Sequence, residues 1–408
     1  MAGSLESKPI LLMNTHVYPR HSNDHVAPFM HEFAKICSSF ARVIVHCPHA
    51  PGLAESEHID GVEIRRFRYT TEAKQTLAYR GDMHKQVFAS PFKAYLFMKF
   101  LWKWRKATKQ LIQDVQPDIV HAHWLIPGGY VTSKAMKKSK TPLFLSMHGT
   151  DVFLVRKRKF AQRMAKKIFS QTRSSHFVSK ALQKSIAASC QRKAASDDLI
   201  LPMFFDFKRF SEIKRKEESK RILFVGRLLS VKGVDVLLDA FSMFHSVGNS
   251  ENWTLDIVGD GPLLGELQQL ANDKNIAENV AFHGSLERDA LVEIYGECDL
   301  FVLPSRTTSA GEKEGLGVVL LEAMMSRVAV IGTNCGGIPE VIENQKTGLI
   351  VEQDDAHSLF EAIQTLTEDA DLRKQLVDQA YAQMTERYSN QSIQLQLKQW
   401  YGGRLNGE

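Results

Sequence analysis

The chain reads as two doubly wound α/β domains in series, on three observations. Short aliphatic runs alternate with helix-length segments throughout, 408 residues exceed what one ordinary core holds, and the charge changes sign between the halves. The runs are ILLMN, ARVIVHC, DIVHAHW and PLFLSMHG, then ILFVGRL, TLDIVGDG, VAFHG, LFVLPS and VAVIGT. Near-continuous apolar strands separated by helices indicate buried parallel sheets with crossover helices. In such sheets, ligands bind beyond the carboxyl ends of the strands. The boundary falls near LPMFFDFKRF, residues 201–210, ahead of the solvated connector SEIKRKEESKR.

Composition narrows the function classes. With 44% hydrophobic and 24% charged residues the chain is an ordinary globular protein, not a disordered one. Five scattered cysteines without a C-x-x-C pair indicate neither a zinc site nor a disulfide framework, and a reducing compartment is expected. The start, MAGSLESKPILLMN, is too short in apolar residues and too acidic for a secretory signal, and reads as a first buried strand. No run reaches the 18 or so apolar residues of a membrane span, so a cytoplasmic or membrane-surface location is expected. The first 205 residues hold 32 Lys and Arg against 14 Asp and Glu, a balance of +18; the remainder hold 20 against 32, a balance of −12. Two domains with different partners follow.

The positive charge concentrates in SPFKAYLFMKFLWKWRKATK (90–109) and RKRKFAQRMAKK (156–167). Interleaved aromatic and basic residues fit an anionic membrane surface as partner. Inward-packing aromatics with solvated lysines are the other reading. No groove-reading or stacking module accompanies the charge, so no nucleic-acid partner is expected.

In EGLGVVLLEAMM (314–325), Gly315 and Gly317 permit close backbone approach to a good helix former. The amides of Gly315, Leu316, Gly317, Val318 and Val319 thus form an anion-binding helix terminus. Carboxylates beside phosphate are repelled, so Glu314 and Glu322 fit only if they accept hydrogen bonds from hydroxyls while cations neutralise the phosphate. Hydroxyls on both sides of a diphosphate describe a nucleotide sugar; a solvated acidic loop and an ordinary helix glutamate are the alternative. GRLLSVKG supplies cations: Gly226 turns the chain after a strand at 222–225, and Arg227 and Lys232 can bind a diphosphate, one as a fork and one as a point charge. In isolation they read equally as surface cations. In LDIVGDGPLLGELQQL, Gly259, Gly261 and Gly265 miss the dinucleotide fingerprint, leaving a turn that lines the nucleotide end or serves architecture alone. Pro262 suits a first helical position.

Taken in order over nearly all of residues 222–350, GRLLSVKG, DIVGDGPL, VAFHGSL, DLFVLPS, EGLGVVLLEAM and GTNCGGIPEVI resemble the donor domain of the retaining GT-B glycosyltransferases of glycosyltransferase family 4. The resemblance implies two Rossmann-like domains facing across a cleft. Residues 1–203, joined by a C-terminal helix at about 389–408, would bind the acceptor, and residues 204–388 the donor. It places the diphosphate on Arg227, Lys232 and the amides after Glu314, the ribose on Glu322 and the donor sugar on Glu314. It implies transfer of a hexose or hexosamine, UDP-linked, to a hydroxyl of a glycan or lipid-linked glycan with retention of configuration. The nucleotide sugar is a co-substrate, and neither cofactor nor metal is expected. A sugar-nucleotide epimerase of the same fold and a non-catalytic sugar-nucleotide-binding subunit of a membrane assembly are the rivals.

The first domain matches less tightly. SMHGTD (146–151) resembles the family's HG-x-D segment, which makes His148 a candidate at the reacting sugar with Asp151 nearby. HAHW (121–124) sets His121 and His123 on one face of a strand; without a third ligand a structural or acceptor-side role is expected for His123. Where the family carries a glycine-rich loop after the first strand, this chain has NTHVYPRHSNDHVAPF. Asn23 and Asp24 are expected to supply the turn on the acceptor side, since both tolerate left-handed conformations. DAD at 369–371 matches a metal-binding motif by letters only and reads as a helix cap.

Overall fold

The structure is a computed structural model that describes residues 8–402 apart from 22, 23, 25, 80–82, 84–89, 193, 194, 196, 203–206, 217 and 248–251. The chain divides into two compact units, residues 1–205 with 393–408, and residues 206–392.

The first unit is built on an eight-stranded sheet: β1 (Ile10–Asn14), β2 (Arg42–Pro48), β3 (Ser56–Ile59), β4 (Val62–Phe67), β5 (Ile119–His123), β6 (Leu143–Met147), β7 (Ser174–Phe177) and β8 (Leu199–Ile200). Its order is β3-β4-β2-β1-β5-β6-β7-β8, parallel throughout except at the β3 edge. There Asp60 and Gly61, at φ 49° and 78°, make the two-residue turn whose backbone matches strand twist. Successive strands step outward from β1 to one side and then resume at β5 on the other, so the order reverses between β1 and β5.

The second unit has six parallel strands: β9 (Arg221–Val225), β10 (Thr254–Val258), β11 (Val280–Gly284), β12 (Leu300–Leu303), β13 (Ala329–Thr333) and β14 (Leu349–Val351). Their order, β11-β10-β9-β12-β13-β14, reverses between β9 and β12. The inner strands bury nearly every side chain, as a sheet covered on both faces must.

All nine aliphatic runs are strands. Asp369 caps the helix Ala370–Tyr388 by accepting a hydrogen bond from the Leu372 amide, as its position predicts. Pro262 lies in the turn ahead of the helix Leu264–Asp273 rather than inside it, because that turn is closed by the Leu264 amide donating to the Gly261 carbonyl. The five cysteines are buried free thiols. Among the described residues, no helix is long and apolar enough to cross a membrane.

Candidate active site

In the second unit, four loops gather at the carboxyl ends of β9, β10, β12 and β13, on either side of the strand-order reversal. Backbone contact knits them. The Gly226 amide donates to the Val258 carbonyl at 2.9 Å and the Leu228 amide to the Asp260 carbonyl at 3.0 Å. A Cβ on Gly259, where φ is 137°, would lie 1.9 Å from the Gly226 carbonyl oxygen. Gly259 and Gly261 therefore have an architectural task here, holding the loop that carries Arg227 and Lys232.

Lys232 and Glu314 meet across the reversal point. The Lys232 ammonium donates to Glu314 Oε2 at 2.6 Å, and the buried Ser305 hydroxyl donates to the same oxygen at 3.1 Å. Burial pushes the Glu314 carboxyl up, but Lys232 and these hydrogen bonds outweigh it and hold the group below its ordinary range. Lys232 is thus one arm of a pair, with two donor directions left over. Arg227 is exposed and has no ion pair among the described residues.

Gly317, at φ 81°, turns the chain into the helix Val318–Met325. A side chain there would strike Leu303 at 2.8 Å, so glycine is required by both conformation and space. In its first turn the Leu320 amide donates to the Gly317 carbonyl at 2.8 Å, while the amides of Val318 and Val319 precede any intrahelical acceptor. Leu316 turns its side chain into the core, while Gly315, Val318 and Val319 stay partly exposed. Glu322 lies one turn in, partly buried, and accepts a hydrogen bond from the Tyr295 hydroxyl at 3.1 Å. Burial pushes its carboxyl up to about 7.

The loop after β13 supplies parts that sequence reasoning missed. A Cβ on Gly336 would lie 1.9 Å from the Glu314 carbonyl oxygen and one on Gly337 2.4 Å from that of Gly315. The pair clamps the backbone of the loop that carries Glu314. Both glycines stand in GTNCGGIPEVI and Ser305 ends LFVLPS, so the letters were in view; what the letters lack is the pairing across strands. Tyr295, opposite Glu322, has no local sequence signal.

In the first unit, the loops after β1, β5 and β6 meet at the β1/β5 reversal. His148 lies against Trp124, ring centroids 4.0 Å apart, and its Nε2 is 3.3 Å from His123 Nδ1. His16 meets the edge of Trp124 at 4.5 Å. Burial holds His16, His123 and His148 well below the ordinary imidazole range, so the cluster is neutral. Among the described residues, His123 Nε2 and His16 Nδ1 are buried without a hydrogen-bond partner. Trp124 itself sits at φ 63°, a strained value for a bulky residue, and its amide is held by the Ser146 carbonyl.

Two first-unit expectations need correction. Asp151 is 2% exposed, and its two oxygens accept from the amides of Leu125, His148, Gly149 and Val152. It shapes the turn that presents His148, both of its oxygens already being engaged by backbone amides inside the fold. Asp24 organises its loop through its carboxylate, which takes a two-pronged ion pair from Arg20 and the amides of Arg20 and Val26. Those bonds outweigh burial and hold it down at about 2, while among the described residues of the loop the left-handed one is Ala27 at φ 51°. Asn23 lies outside the described residues. His121 is structural: its nitrogens are taken by Tyr401 at 2.7 Å and Ser146 at 2.8 Å, and its ring stacks on His123 at 4.2 Å.

Comparison with known proteins agrees with this architecture. The model of glycosyl transferases group 1 matches residues 206–383 and that of glycosyltransferase family 4 matches residues 38–195. The chain belongs to this family of GT-B glycosyltransferases. It is 37% identical over 158 residues, 38% of its own length, to a GDP-mannose-dependent α-(1-6)-phosphatidylinositol monomannoside mannosyltransferase of Mycobacterium tuberculosis, spanning about 40% of that relative. It is 28% identical over 303 residues to the N-acetyl-α-D-glucosaminyl L-malate synthase of Bacillus anthracis, covering 72% of this chain and 76% of the relative. Among solved structures, sucrose-phosphate synthase from Thermosynechococcus elongatus superposes with a TM-score of 0.75 at 18% identity, over 97% of this chain and 98% of that one. A glycosyltransferase from Rickettsia africae does so at 0.72 and 16%, over 98% and 100%.

Proposed function

We propose that the protein transfers a hexose or hexosamine from a nucleoside-diphosphate sugar to a hydroxyl of a glycan or lipid-linked glycan, in glycolipid or polysaccharide biosynthesis, with retention of configuration. The observation that carries this is the Lys232–Glu314 pair at the strand-order reversal, beside the helix terminus at Gly317. A diphosphate docked on the first-turn amides would take Lys232 as its point charge, while the exposed Arg227 supplies a fork. Glu314 would then accept from a donor-sugar hydroxyl and Glu322 from the ribose. Charge developing on the leaving diphosphate meets fixed cations and dipoles, which is electrostatic catalysis without a side-chain nucleophile. A leaving phosphate oxygen would take the proton of the incoming hydroxyl on the same face. Arg227, Lys232 and the helix amides are the groups that face the diphosphate charge in this reading, and neither metal nor cofactor is expected. Neutral His148 would donate or accept a hydrogen bond at the reacting sugar, with His123 behind it and Asp151 fixing its loop.

The sequence resemblance favours a UDP-linked donor, whereas the Mycobacterium relative is named for GDP-mannose. Calorimetric titration with UDP, GDP and ADP, followed by sugar conjugates of whichever binds, separates them. One nucleotide should bind selectively, more tightly with its sugar, and turnover should require an acceptor. Turnover without an acceptor would point to an epimerase, and binding without turnover to a non-catalytic subunit; either sinks the proposal.

A further inference from the structure

We propose that the outward face of the helix Pro91–Val115 docks this protein on an anionic phospholipid surface. The helix is fixed from its inner side. Leu96, Phe100 and Trp104 are buried, and the Trp104 indole donates to Asn14 Oδ1, at the end of β1, at 2.7 Å. Its outward stripe is therefore a held feature of the fold.

Half of the aromatic residues do not pack inward. Phe92, Tyr95, Met98 and Trp102 are 57%, 65%, 64% and 57% exposed. Their spacing of three, three and four residues keeps them on one arc of the helix, opposite the buried positions. Isolated exposed apolar residues are ordinary, but four large ones in register form a patch that marks an interaction surface. Beyond Trp102 the same face turns wholly cationic: Arg105, Lys106 and Lys109 are exposed, and no acid occurs between Pro91 and Gln113. Lys103 and Lys106 lie over the Trp102 ring at 5.4 and 5.9 Å.

The neighbouring layer extends the charge. The helix Pro91–Val115 packs on Tyr130–Ala135, which packs on Lys159–Phe169. Right-handed crossovers from β4 to β5, β5 to β6 and β6 to β7 place all three on one side of the sheet. On the last of these, Phe160 is 59% exposed, and Arg163, Lys166 and Lys167 are exposed beside it.

A convex aromatic stripe ending in cations matches an interfacial helix, with Trp and Tyr at headgroup depth and lysines against phosphate. A protein groove would want the stripe without that excess of charge, and base stacking would want a concave cationic channel. The inference rests in no part on sugar transfer, so each can fail alone.

Cosedimentation of the full chain with vesicles of phosphatidylcholine, with and without phosphatidylglycerol, tests it. The protein should pellet with the anionic vesicles, stay in solution with phosphatidylcholine alone, and be released by added salt. Replacing Phe92, Tyr95 and Trp102 together by Ser should weaken partition at least about tenfold. Changing Arg105, Lys106 and Lys109 together to Gln should weaken it on the order of a hundredfold, at about fivefold for each cation. Far-UV circular dichroism and the unfolding midpoint should not move in either variant, since the altered side chains are exposed. The proposal is overturned if the parent chain ignores anionic vesicles, if the apolar variant still binds them, or if the stripe instead drives self-association that the apolar variant abolishes.

Discussion

Lys232 has two tasks at once. It neutralises Glu314, whose side chain is only 12% exposed, and in the proposed reaction it meets the donor phosphates. Lys232→Ala should therefore weaken donor affinity and turnover together. It should also lower stability in urea by about 2 kcal/mol, between the value of an exposed and a buried pair. Turnover lost at unchanged donor affinity would contradict the diphosphate role. Glu322 carries a different signature. Its carboxyl titrates at about 7 when folded and at an ordinary 4.5 when unfolded, so within that window the folded chain holds a proton the unfolded chain has released. Stability must fall as pH rises through the window. Urea midpoints measured from about pH 4.5 to about pH 7 should decline, and Glu322→Gln should flatten the decline. An unchanged slope in the variant would place the titration elsewhere.

Loops carry the chemistry here, and two of them are set by single residues. Asp151→Ala would strip four backbone amides of their acceptor and should destabilise the first unit by about 3 kcal/mol, visible as a shifted denaturant midpoint. A neutral outcome would mean that water replaces the carboxylate. Gly336→Ala would drive a methyl group into the Glu314 carbonyl, so nucleotide affinity should drop about tenfold or more and the unfolding midpoint of the second unit should fall with it. How legible these elements were depended on where their polar groups find partners. β9, β10, β12 and β13 bury apolar side chains on both faces and announce themselves as continuous runs. β4 does not, because VEIRRF places Glu63 between Arg42 and Arg65, and Arg66 beside Glu57; charges satisfied at a distance look like surface in one dimension. β7, β8 and β14 are short, and SSHF in β7 reads as a turn until Ser174 and His176 find Trp400, Ser146 and Leu201. The donor loop was readable because glycine spacing and a helix former are local signals. That Lys232 closes on Glu314, 82 residues away, was not.

The first unit is completed by a helix that follows the second unit. In the helix Asn390–Tyr401, Tyr401 reaches His121, the Trp400 indole donates to Ser174 Oγ at 2.7 Å, and both rings pack on Phe144. Truncation after residue 392 should lower the calorimetric transition of the first unit while leaving that of residues 206–392 in place. Loss of both transitions together would mean that the units fold as one.

The second unit is therefore an insertion in the first, and the order of synthesis inherits that nesting. As the ribosome extends the chain, residues 206–392 emerge whole and can fold while strands β5 to β7 still lack the side chains that cover His121 and Phe144. A chain at that stage leaves His121 Nδ1 without its Tyr401 partner and Phe144 without the two rings that pack on it. It is the form in which this protein would most depend on chaperones, and docking of the helix Asn390–Tyr401 ends that dependence.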